Sequence, residues 1–347
     1  MVGGGTPDTT VSSLWNGDIQ WFTPTEVGHQ KYVSKSARTI TQLGLQKSSA
    51  KKLPAGSILL SSRATIGECS IAQRECTTNQ GFQNLIPKKD TNNEFLYYLA
   101  QTKKHHFIKY ASGSTFLEIS NSEIKKTKCT VPGTEEQTQI AAFLSALDDR
   151  IAVQNKIISK YETLIKGLCD MIFPSIEGSI LPLKAIVSIE KGQQINGMSL
   201  AKTGKYYYLN GGIAPSGYID DYNTSEETIS ISEGGNSCGF VSYNLQKFWS
   251  GGHCYTLKIM AEQCRSKYLF FYLKYKEKDI MQLRVGSGLP NIQKKSLENF
   301  NVKLPNYKKQ CFVERVFEVV TAKKEIENAL LERFQSQKKF LLSKMFI

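Results

Sequence analysis

The feature that most constrains the fold is a repetition of part of the first half of the chain in the second half, at a constant spacing of 173 residues. The matching pairs are Gly113 and Gly286, Ile119 and Ile292, Val131 and Leu304, Gln137 and Gln310, and Phe173 and Phe346. The register does not shift over about 60 residues, which is typical of a tandem duplication. We therefore expect two similar domains, with variable front parts and similar back parts.

Each back part is predicted to be a long helix, because about 37 residues without proline follow a Pro-bearing turn in both copies. Apolar residues recur in alternating steps of four and three, a heptad pattern typical of paired helices. The expected helix-packing residues are Leu144, Leu147, Ile151, Ile158, Tyr161, Ile165, Leu168, Leu331, Phe334 and Leu341. We expect two antiparallel coiled-coil helices, each roughly 55 Å long, that separate the two domains. The alternative is a plain core seam without a role in binding partners.

The front parts are predicted to be β-rich, with short strands separated by Gly and Asn turns. A short helix near 94–108 and its counterpart near 267–281 complete an α+β fold class in pseudo-twofold tandem repeat. The expected boundaries are 1–132 and 179–305 for the two β-rich domains, and 133–178 and 306–347 for the two long helices. A strand-like segment at 181–190 has no counterpart in the first copy, so the first domain is expected to lack its first strand. Either the natural start lies upstream, or the strand is supplied from elsewhere.

The charge balance predicts a polyanionic partner. Lys and Arg number 44 against 31 Asp and Glu, a formal net charge of +13, so the surface should carry a positive potential. An ordinary basic protein would show the same balance.

The cysteines and the hydropathy pattern argue against metal sites and membrane segments. The eight cysteines form no CxxC pair and the four histidines stand at no metal-ligand spacing from them, so we expect free thiols and no metal. The chain has no secretion-signal pattern at its start and no run of about 18 apolar residues. We therefore expect a cytoplasmic protein without a membrane partner.

Several segments of the first copy occur in an order that is specific as a set. They are Gly3-Gly-Gly-Thr-Pro7, Trp15-Asn-Gly-Asp-Ile-Gln-Trp21, Ser61-Ser-Arg-Ala-Thr-Ile-Gly67, Thr78-Asn-Gln-Gly-Phe82 and Ala111-Ser-Gly-Ser-Thr-Phe-Leu-Glu-Ile-Ser120. Together with Glu136-Gln137 at the helix start, they resemble the target-recognition domain of type I restriction-modification specificity subunits, the HsdS family. The resemblance extends over essentially the whole chain, including the two-repeat layout.

This resemblance implies a non-catalytic subunit that reads a bipartite site in double-stranded DNA, with one half-site for each recognition domain. It implies two modification (methyltransferase) subunits as partners, and motor-nuclease restriction subunits recruited by the assembly. No cofactor is implied for this chain. S-adenosylmethionine, ATP and Mg²⁺ would be used by the partner subunits, where methylation and cleavage take place.

Reading base edges needs amide, hydroxyl and guanidinium groups on rigid loops, whereas phosphate contacts need cations and exposed amides. The candidate DNA-contacting residues are Lys47, Ser48, Ser62, Arg63, Thr65, Asn79 and Gln80 in the first domain, and Lys205, Tyr207, Asn236, Ser237, His253, Asn291 and Gln293 in the second. Arg63 is the best single candidate.

Each candidate also has a structural interpretation. Arg63 would then be a salt-bridged structural arginine, and Asn79 and Gln80 would cap turns. His253 would be a packed polar residue, and Lys205 with Tyr207 would belong to an ordinary aromatic strand.

The second domain departs from the family pattern at two turns. Lys191-Gly-Gln-Gln194 stands where Gly-Gly-Thr-Pro stood, and Glu233-Gly-Gly-Asn-Ser-Cys-Gly239 replaces the Ser-Ser-Arg-Ala-Thr segment. Such divergence is expected if the two domains read different half-sites. We further hypothesise that helix length sets the distance between the half-sites.

Three other functions are alternatives to a DNA-reading specificity subunit. An adenine methyltransferase or a phosphate-loop enzyme is disfavoured, because the chain has no Pro-Pro pair and no Walker loop, so no catalytic residue is expected. A helical scaffold that binds only proteins would bind its ligand almost independently of salt, whereas a DNA reader loses affinity steeply with salt. The DNA-recognition subunit of a standalone restriction enzyme would differ in its genomic neighbours.

Overall fold

The computed structural model describes residues 1–113, 117–197, 200–286 and 288–346. The chain divides into two compact units: unit 1 is Met1–Asn155 with Ala329–Ile347, and unit 2 is Lys156–Asn328. Each unit contains one front part and portions of both long helices, so the unit boundaries fall within the helices rather than at 132 or 305. Residues 114–116 of the family-like segment lie outside the described residues.

Unit 1 contains short strands in small sheets. The strands are β1 (Val2–Gly3), β2 (Trp15–Phe22), β3 (Tyr32–Val33), β4 (Arg38–Ile40), β5 (Ile58–Leu60), β6 (Cys69–Ala72), β7 (Cys76–Thr78) and β8 (Gln83–Asn84). They pair in the orders β4-β2-β7, β3-β6-β5 and β1-β8. Alternating side chains of β5 face two cores, since Leu59 packs with Phe22 and Phe82 while Ile58 and Leu60 pack with the helices.

Five α-helices lie among the described residues of the first half, and the sequence predicted those near 94–108 and 133–178 but not α1 or α4. They are α1 (Gln42–Gln46), α2 (Asn93–Thr102), α3 (Lys104–Lys109), α4 (Asn121–Lys126) and the long α5 (Thr134–Ser175). The predicted short helix near 94–108 is therefore two helices, α2 and α3, separated by Lys103. Asn92 caps α2 by accepting hydrogen bonds from two backbone N–H groups of its first turn.

Unit 2 repeats this arrangement with one further strand pair. Its strands are β9 (Ser179–Pro182), β10 (Val187–Lys191), β11 (Tyr206–Leu209), β12 (Gly217–Ile219), β13 (Thr228–Ser232), β14 (Val241–Asn244), β15 (Phe248–Ser250), β16 (Cys254–Ile259) and β17 (Asn301–Leu304). Its short helices are α6 (Ser266–Tyr275), α7 (Glu277–Met281) and α8 (Lys294–Glu298). The long α9 (Tyr307–Met345) begins in unit 2 and ends in unit 1. The sheets have the orders β10-β16-β13-β14, β12-β11-β15 and β17-β9. The α+β tandem fold class is confirmed.

The two copies differ where the sequence predicts a missing strand. In unit 2, β9 pairs antiparallel with β17, with Val302 opposite Leu181. Residues 128–131, the counterpart of β17 in unit 1, form no strand. The difference follows from backbone pairing, because a strand is stable only where its N–H and C=O groups find partners.

Within each unit, α5 and α9 run antiparallel. In unit 1 Lys338 Nζ lies 2.6 Å from Asp148 Oδ1, and in unit 2 Lys324 Nζ lies 2.8 Å from Glu162 Oε1. Among the helix-packing residues, Leu144 and Leu147 are buried, and the others, Ile151, Ile158, Tyr161, Ile165, Leu168, Leu331, Phe334 and Leu341, are half-buried. The stripe therefore faces the partner helix or the β-rich part of its own unit, as a heptad pattern requires.

One buried glutamine in each long helix joins that helix to the loop before the short helix of the same unit. Gln310 Nε2 donates to the carbonyls of Gln263 and Pro305, at 2.8 and 2.9 Å, and its Oε1 accepts from the backbone N–H of Arg265 at 2.9 Å. Gln137 makes the same three bonds with the residues 173 positions earlier. The repeat thus preserves the residue that satisfies these backbone groups.

We expect Gln310→Met to lower the free energy of unfolding of unit 2 by about 2–3 kcal/mol, because three backbone groups lose their partner. Urea denaturation monitored by circular dichroism measures the change. Gln282→Met, at an exposed position of the same unit, is the matched control and should change the free energy by less than about 0.5 kcal/mol. Equal effects of the two substitutions would show that the buried bonds do not stabilise the unit.

Candidate nucleic-acid interface

Three loops of unit 1 meet at the backbone of one residue. The N–H of Ser62 donates to the carbonyl of Gly81 at 2.8 Å, and the N–H of Ile119 donates to the carbonyl of Ser62 at 3.1 Å. These bonds place residues 61–66, 79–81 and 117–119 side by side, and we call them the unit 1 loop cluster. Most of the residues predicted for the first domain lie in this cluster.

Arg63 is exposed and lies in an ion pair. Its Nε is 2.7 Å from Glu118 Oε2, and its side chain is 45% exposed. Ala64 has a positive φ of 57°, so the loop turns sharply directly after Arg63. The salt-bridged alternative is thus present in the structure, but the guanidinium keeps donors that face solvent. Glu118 was missed by sequence reasoning, although it lies one residue before the repeated Ile119.

Other predicted side chains of the cluster are engaged within the protein. Ser62 is fully buried and its Oγ has no hydrogen-bond partner, so it is not presented to a ligand, contrary to expectation. The Thr65 hydroxyl donates to the carbonyl of Pro24 at 3.2 Å. Asn79 Oδ1 accepts from the N–H of Gly81 at 2.9 Å and caps the turn. Gln80 is exposed, and its Oε1 accepts from the Thr6 hydroxyl.

Lys47 and Ser48 are positioned near the cluster through Gly5. The N–H of Gly5 donates to the carbonyl of Thr78 at 2.8 Å, and a Cβ at this position would lie 2.2 Å from Ser49 Oγ. Only glycine therefore allows the approach of these two segments. Lys47 is exposed at the end of α1, while Ser48 is half-buried and accepts from a nearby backbone N–H.

Unit 2 contains the same backbone arrangement with different side chains. The N–H of Glu233 donates to the carbonyl of His253 at 2.9 Å, and the N–H of Ile292 donates to the carbonyl of Glu233 at 2.8 Å. Glu233 thus occupies the position of Ser62, and His253 that of Gly81. We call residues 233–238, 251–253 and 288–292 the unit 2 loop cluster.

The exposed side chains of this cluster include three of the predicted residues. Asn236, His253 and Asn291 are exposed, and Ser237 is half-buried. Asn291 exchanges two backbone hydrogen bonds with Val285, at 2.8 and 3.0 Å, which keeps its side chain on a rigid turn. Gln293 is exposed directly before α8.

Sequence reasoning missed the charged group at the centre of the unit 2 loop cluster. Glu233 is buried, and its Oε1 accepts from Lys191 Nζ at 2.6 Å and from the Tyr255 hydroxyl at 3.0 Å. Burial, together with the bond to Glu233, raises the pKa of Tyr255, so its hydroxyl stays a donor. The only signal in the sequence was that Lys191 and Glu233 lie in the two turns that depart from the family pattern.

Lys205 and Tyr207 do not join this cluster. Tyr207 stacks on Phe248 with ring centroids 5.2 Å apart, and its hydroxyl donates to Asn244 Oδ1 at 2.9 Å. Asn244 pairs with Thr228 at the start of β13, whereas Glu233 follows the end of that strand. Burial raises the pKa of Tyr207 to about 12, and Lys205 lies over the ring of Tyr206. The aromatic-strand alternative therefore describes Tyr207, whereas a phosphate contact by the exposed Lys205 stays a prediction.

The described ranges contain no group of three or more His, Cys, Asp or Glu side chains suited to holding a metal ion. Among the described residues, none of the helices is long and apolar enough to span a membrane.

Each unit has one loop cluster, and the two long helices run through both units. These features identify the class of protein to which the chain belongs. The model of the type I restriction modification DNA specificity domain matches residues 2–163 and 180–335. This chain belongs to that family of specificity subunits.

Similar proteins carry the same description. The MjaIX specificity subunit of Methanocaldococcus jannaschii is 41% identical over 167 residues, which are 46% of this chain and 39% of that protein. The chain thus matches less than half the length of this relative. The EcoprrI specificity subunit of Escherichia coli is 22% identical over 91% of this chain and 83% of that protein.

The crystal structure of the type I S subunit from M. genitalium is similar in fold. Its TM-score is 0.68 at 19% sequence identity, over 100% of this chain and 99% of that one.

We expect Arg63→Gln to change the free energy of unfolding of unit 1 by less than about 1 kcal/mol, since an exposed ion pair contributes little. Thermal and urea denaturation measure it. Leu59→Ala, at a fully buried position of β5, should cost about 2–5 kcal/mol and shows that the assay detects loss of packing. A loss of that size for Arg63→Gln would make Arg63 a structural residue.

Proposed function

We propose that this chain is the non-catalytic specificity subunit of a type I restriction-modification complex, and that it reads a bipartite site in double-stranded DNA with one half-site per unit. The observation that carries the proposal is the shared backbone arrangement at Ser62 and Glu233, which gathers three loops in each unit while their side chains differ. Two different half-sites must be read by different side chains, and the shared backbone arrangement can present both sets.

The exposed groups of both clusters suit DNA. In unit 1, Arg63 can donate two hydrogen bonds to a guanine edge, and Gln80 offers an amide for adenine. In unit 2, Asn236 and Asn291 offer amides and His253 an imidazole. The net charge of +13 favours association with the phosphate backbone and predicts loss of affinity with salt. Which bases are read depends on the loops in the complex.

Exposed apolar side chains on the helices suit the docking of modification subunits. In unit 2, Leu164 and Met171 of α5 are 46% and 66% exposed and line a surface depression of about 470 Å³. In unit 1, Phe143 and Phe340 are exposed on α5 and α9. Apolar helix faces open to solvent are typical of binding surfaces. The exposed apolar side chains on the long helices of both units are the surfaces that we assign to a pair of modification subunits.

The assembly we propose assigns catalysis to these partners. The modification subunits would use S-adenosylmethionine, and motor-nuclease subunits would use ATP and Mg²⁺. The hypothesis that helix length sets the spacer between half-sites stays a prediction.

The first test is methylation mapping of genomic DNA in a host that carries this chain and its neighbouring methyltransferase gene. We expect a bipartite adenine-methylated motif that is lost in a host lacking only this chain. Arg63→Gln should relax one base pair of one half-site, corresponding to about 1–3 kcal/mol of discrimination. Arg74→Gln is the matched control, because Arg74 is exposed in the turn between β6 and β7, away from the loop cluster. A methylation pattern that is unchanged without the chain would contradict the proposal.

Docking is tested by Leu164→Glu with Met171→Glu in the full chain. Burying two carboxylates against an apolar partner is costly, so we expect at least about tenfold less modification subunit to co-purify with the tagged chain. Lys166→Glu, at an exposed position of the same helix, should leave co-purification unchanged. If the double variant retains the partner as well as the wild type does, this face is not the docking surface.

A further inference from the structure

A buried carboxylate in the unit 2 loop cluster has one oxygen without a hydrogen bond. The side chain of Glu233 is 9% exposed. Its Oε1 accepts from Lys191 and Tyr255, but Oε2 has no hydrogen-bond partner. Leaving a buried charged acceptor without a partner lowers stability. Glu233 Oε2 is therefore suited to accept from a donor that forms when the pH falls or a ligand binds.

His253 is placed to be that donor. Its Nδ1 lies 3.5 Å from Glu233 Oε2, slightly beyond a normal hydrogen bond, and its side chain is 63% exposed. Its backbone N–H is fixed by Asn210 Oδ1 at 3.0 Å. A neutral imidazole donates from only one nitrogen, whereas an imidazolium donates from both. Only the protonated ring can therefore donate to Glu233 and to a ligand at the same time.

The other charged and titratable groups around Glu233 and Cys238, at the centre of the loop cluster, come from the neighbouring elements. Lys191 of β10 and Tyr255 of β16 both bind Glu233 Oε1. Arg284, on the loop after α7, acts electrostatically on Cys238, whose pKa burial raises. Lys191 balances the charge of Glu233, so protonation of His253 adds one positive charge to the loop cluster, where DNA would supply the opposite charge.

We propose that unit 2 takes up one proton from solvent when it binds DNA. His253 then donates from Nδ1 to Glu233 Oε2 and from Nε2 to an acceptor of the DNA, either a phosphate oxygen or a guanine edge. This inference rests on the proposed DNA-reading function and adds His253 as a specificity-determining residue, with Glu233 as its positioning residue.

The pH dependence follows from the sign of the linkage. Because the proposed complex takes up a proton, the added affinity is present at acidic pH and is lost as the pH rises. In unit 1 the equivalent positions are Ser62 and Gly81, which do not titrate, so only the half-site read by unit 2 should respond.

The test is selection from a library of duplex DNA with a random 20-bp core by the full-length chain, at pH 6.2 and 8.2. We expect a bipartite motif in which one half gains sequence information, or overall affinity, at the lower pH. The dissociation constant for the selected duplex should be at least about threefold lower at pH 6.2 than at pH 8.2, because binding coupled to proton uptake is favoured at the lower pH. The half altered by Arg63→Gln identifies unit 1, so the responding half should be the other one.

Two variants isolate the linkage. Glu233→Gln keeps an oxygen for Lys191 and Tyr255 but removes the charge, and His253→Asn changes an exposed residue; both should bind DNA with no difference between the two pH values. A position-specific loss in His253→Asn identifies a base contact, and a uniform loss identifies a phosphate contact.

Different results would overturn the DNA-reading function and the proton linkage. If no motif is enriched at either pH, the DNA-reading function is overturned. If a bipartite motif is enriched but its pH response is the same in wild type and both variants, only the proton linkage is overturned.

Discussion

Burial of the heptad stripe of α5 and α9 is the interaction on which each unit depends. In unit 1, Leu341 and Phe346 pack in the cores that contain Leu144 and Phe95, and in unit 2, Phe173 stacks on Phe317 with ring centroids 5.6 Å apart. Phe173 and Phe346 are repeat partners, and each completes an apolar core in its own unit. Unit 1 is therefore discontinuous in sequence, because its core requires residues from the end of the chain.

In each loop cluster, backbone hydrogen bonds set the arrangement of the loops, and the side chains set the chemistry of the surface. Backbone bonds at Ser62 and Glu233 are the same in both units, so side chains around them can vary without loss of the loop arrangement. Unit 1 places an arginine and its carboxylate partner there, whereas unit 2 places a buried carboxylate beneath an exposed imidazole. Backbone hydrogen bonds do not depend on side-chain identity, and this allows a duplicated fold to carry two surfaces with different side chains.

Most of the fold was predictable, because its signals are periodic and local. The 173-residue repeat and the heptads predicted α5 and α9, and the missing partner of residues 128–131 was visible in the absence of a strand-like segment. The site was predicted less well. The polar turns were found, but the burial of Ser62 and the contact of Tyr207 on β11 with Asn244, beside the start of β13, depend on strand pairing, which residue type does not reveal.

The sequence by itself determined the duplication, the paired helices and the family, because apolar spacing and repeated residues act locally along the chain. Only the tertiary structure decided which side chains meet. Arg63 pairs with Glu118, and Glu233 lies beside His253. Loop length and strand register bring these residues together. Those contacts form because backbone groups that are distant in sequence hydrogen-bond to one another, and no local sequence pattern predicts such pairing.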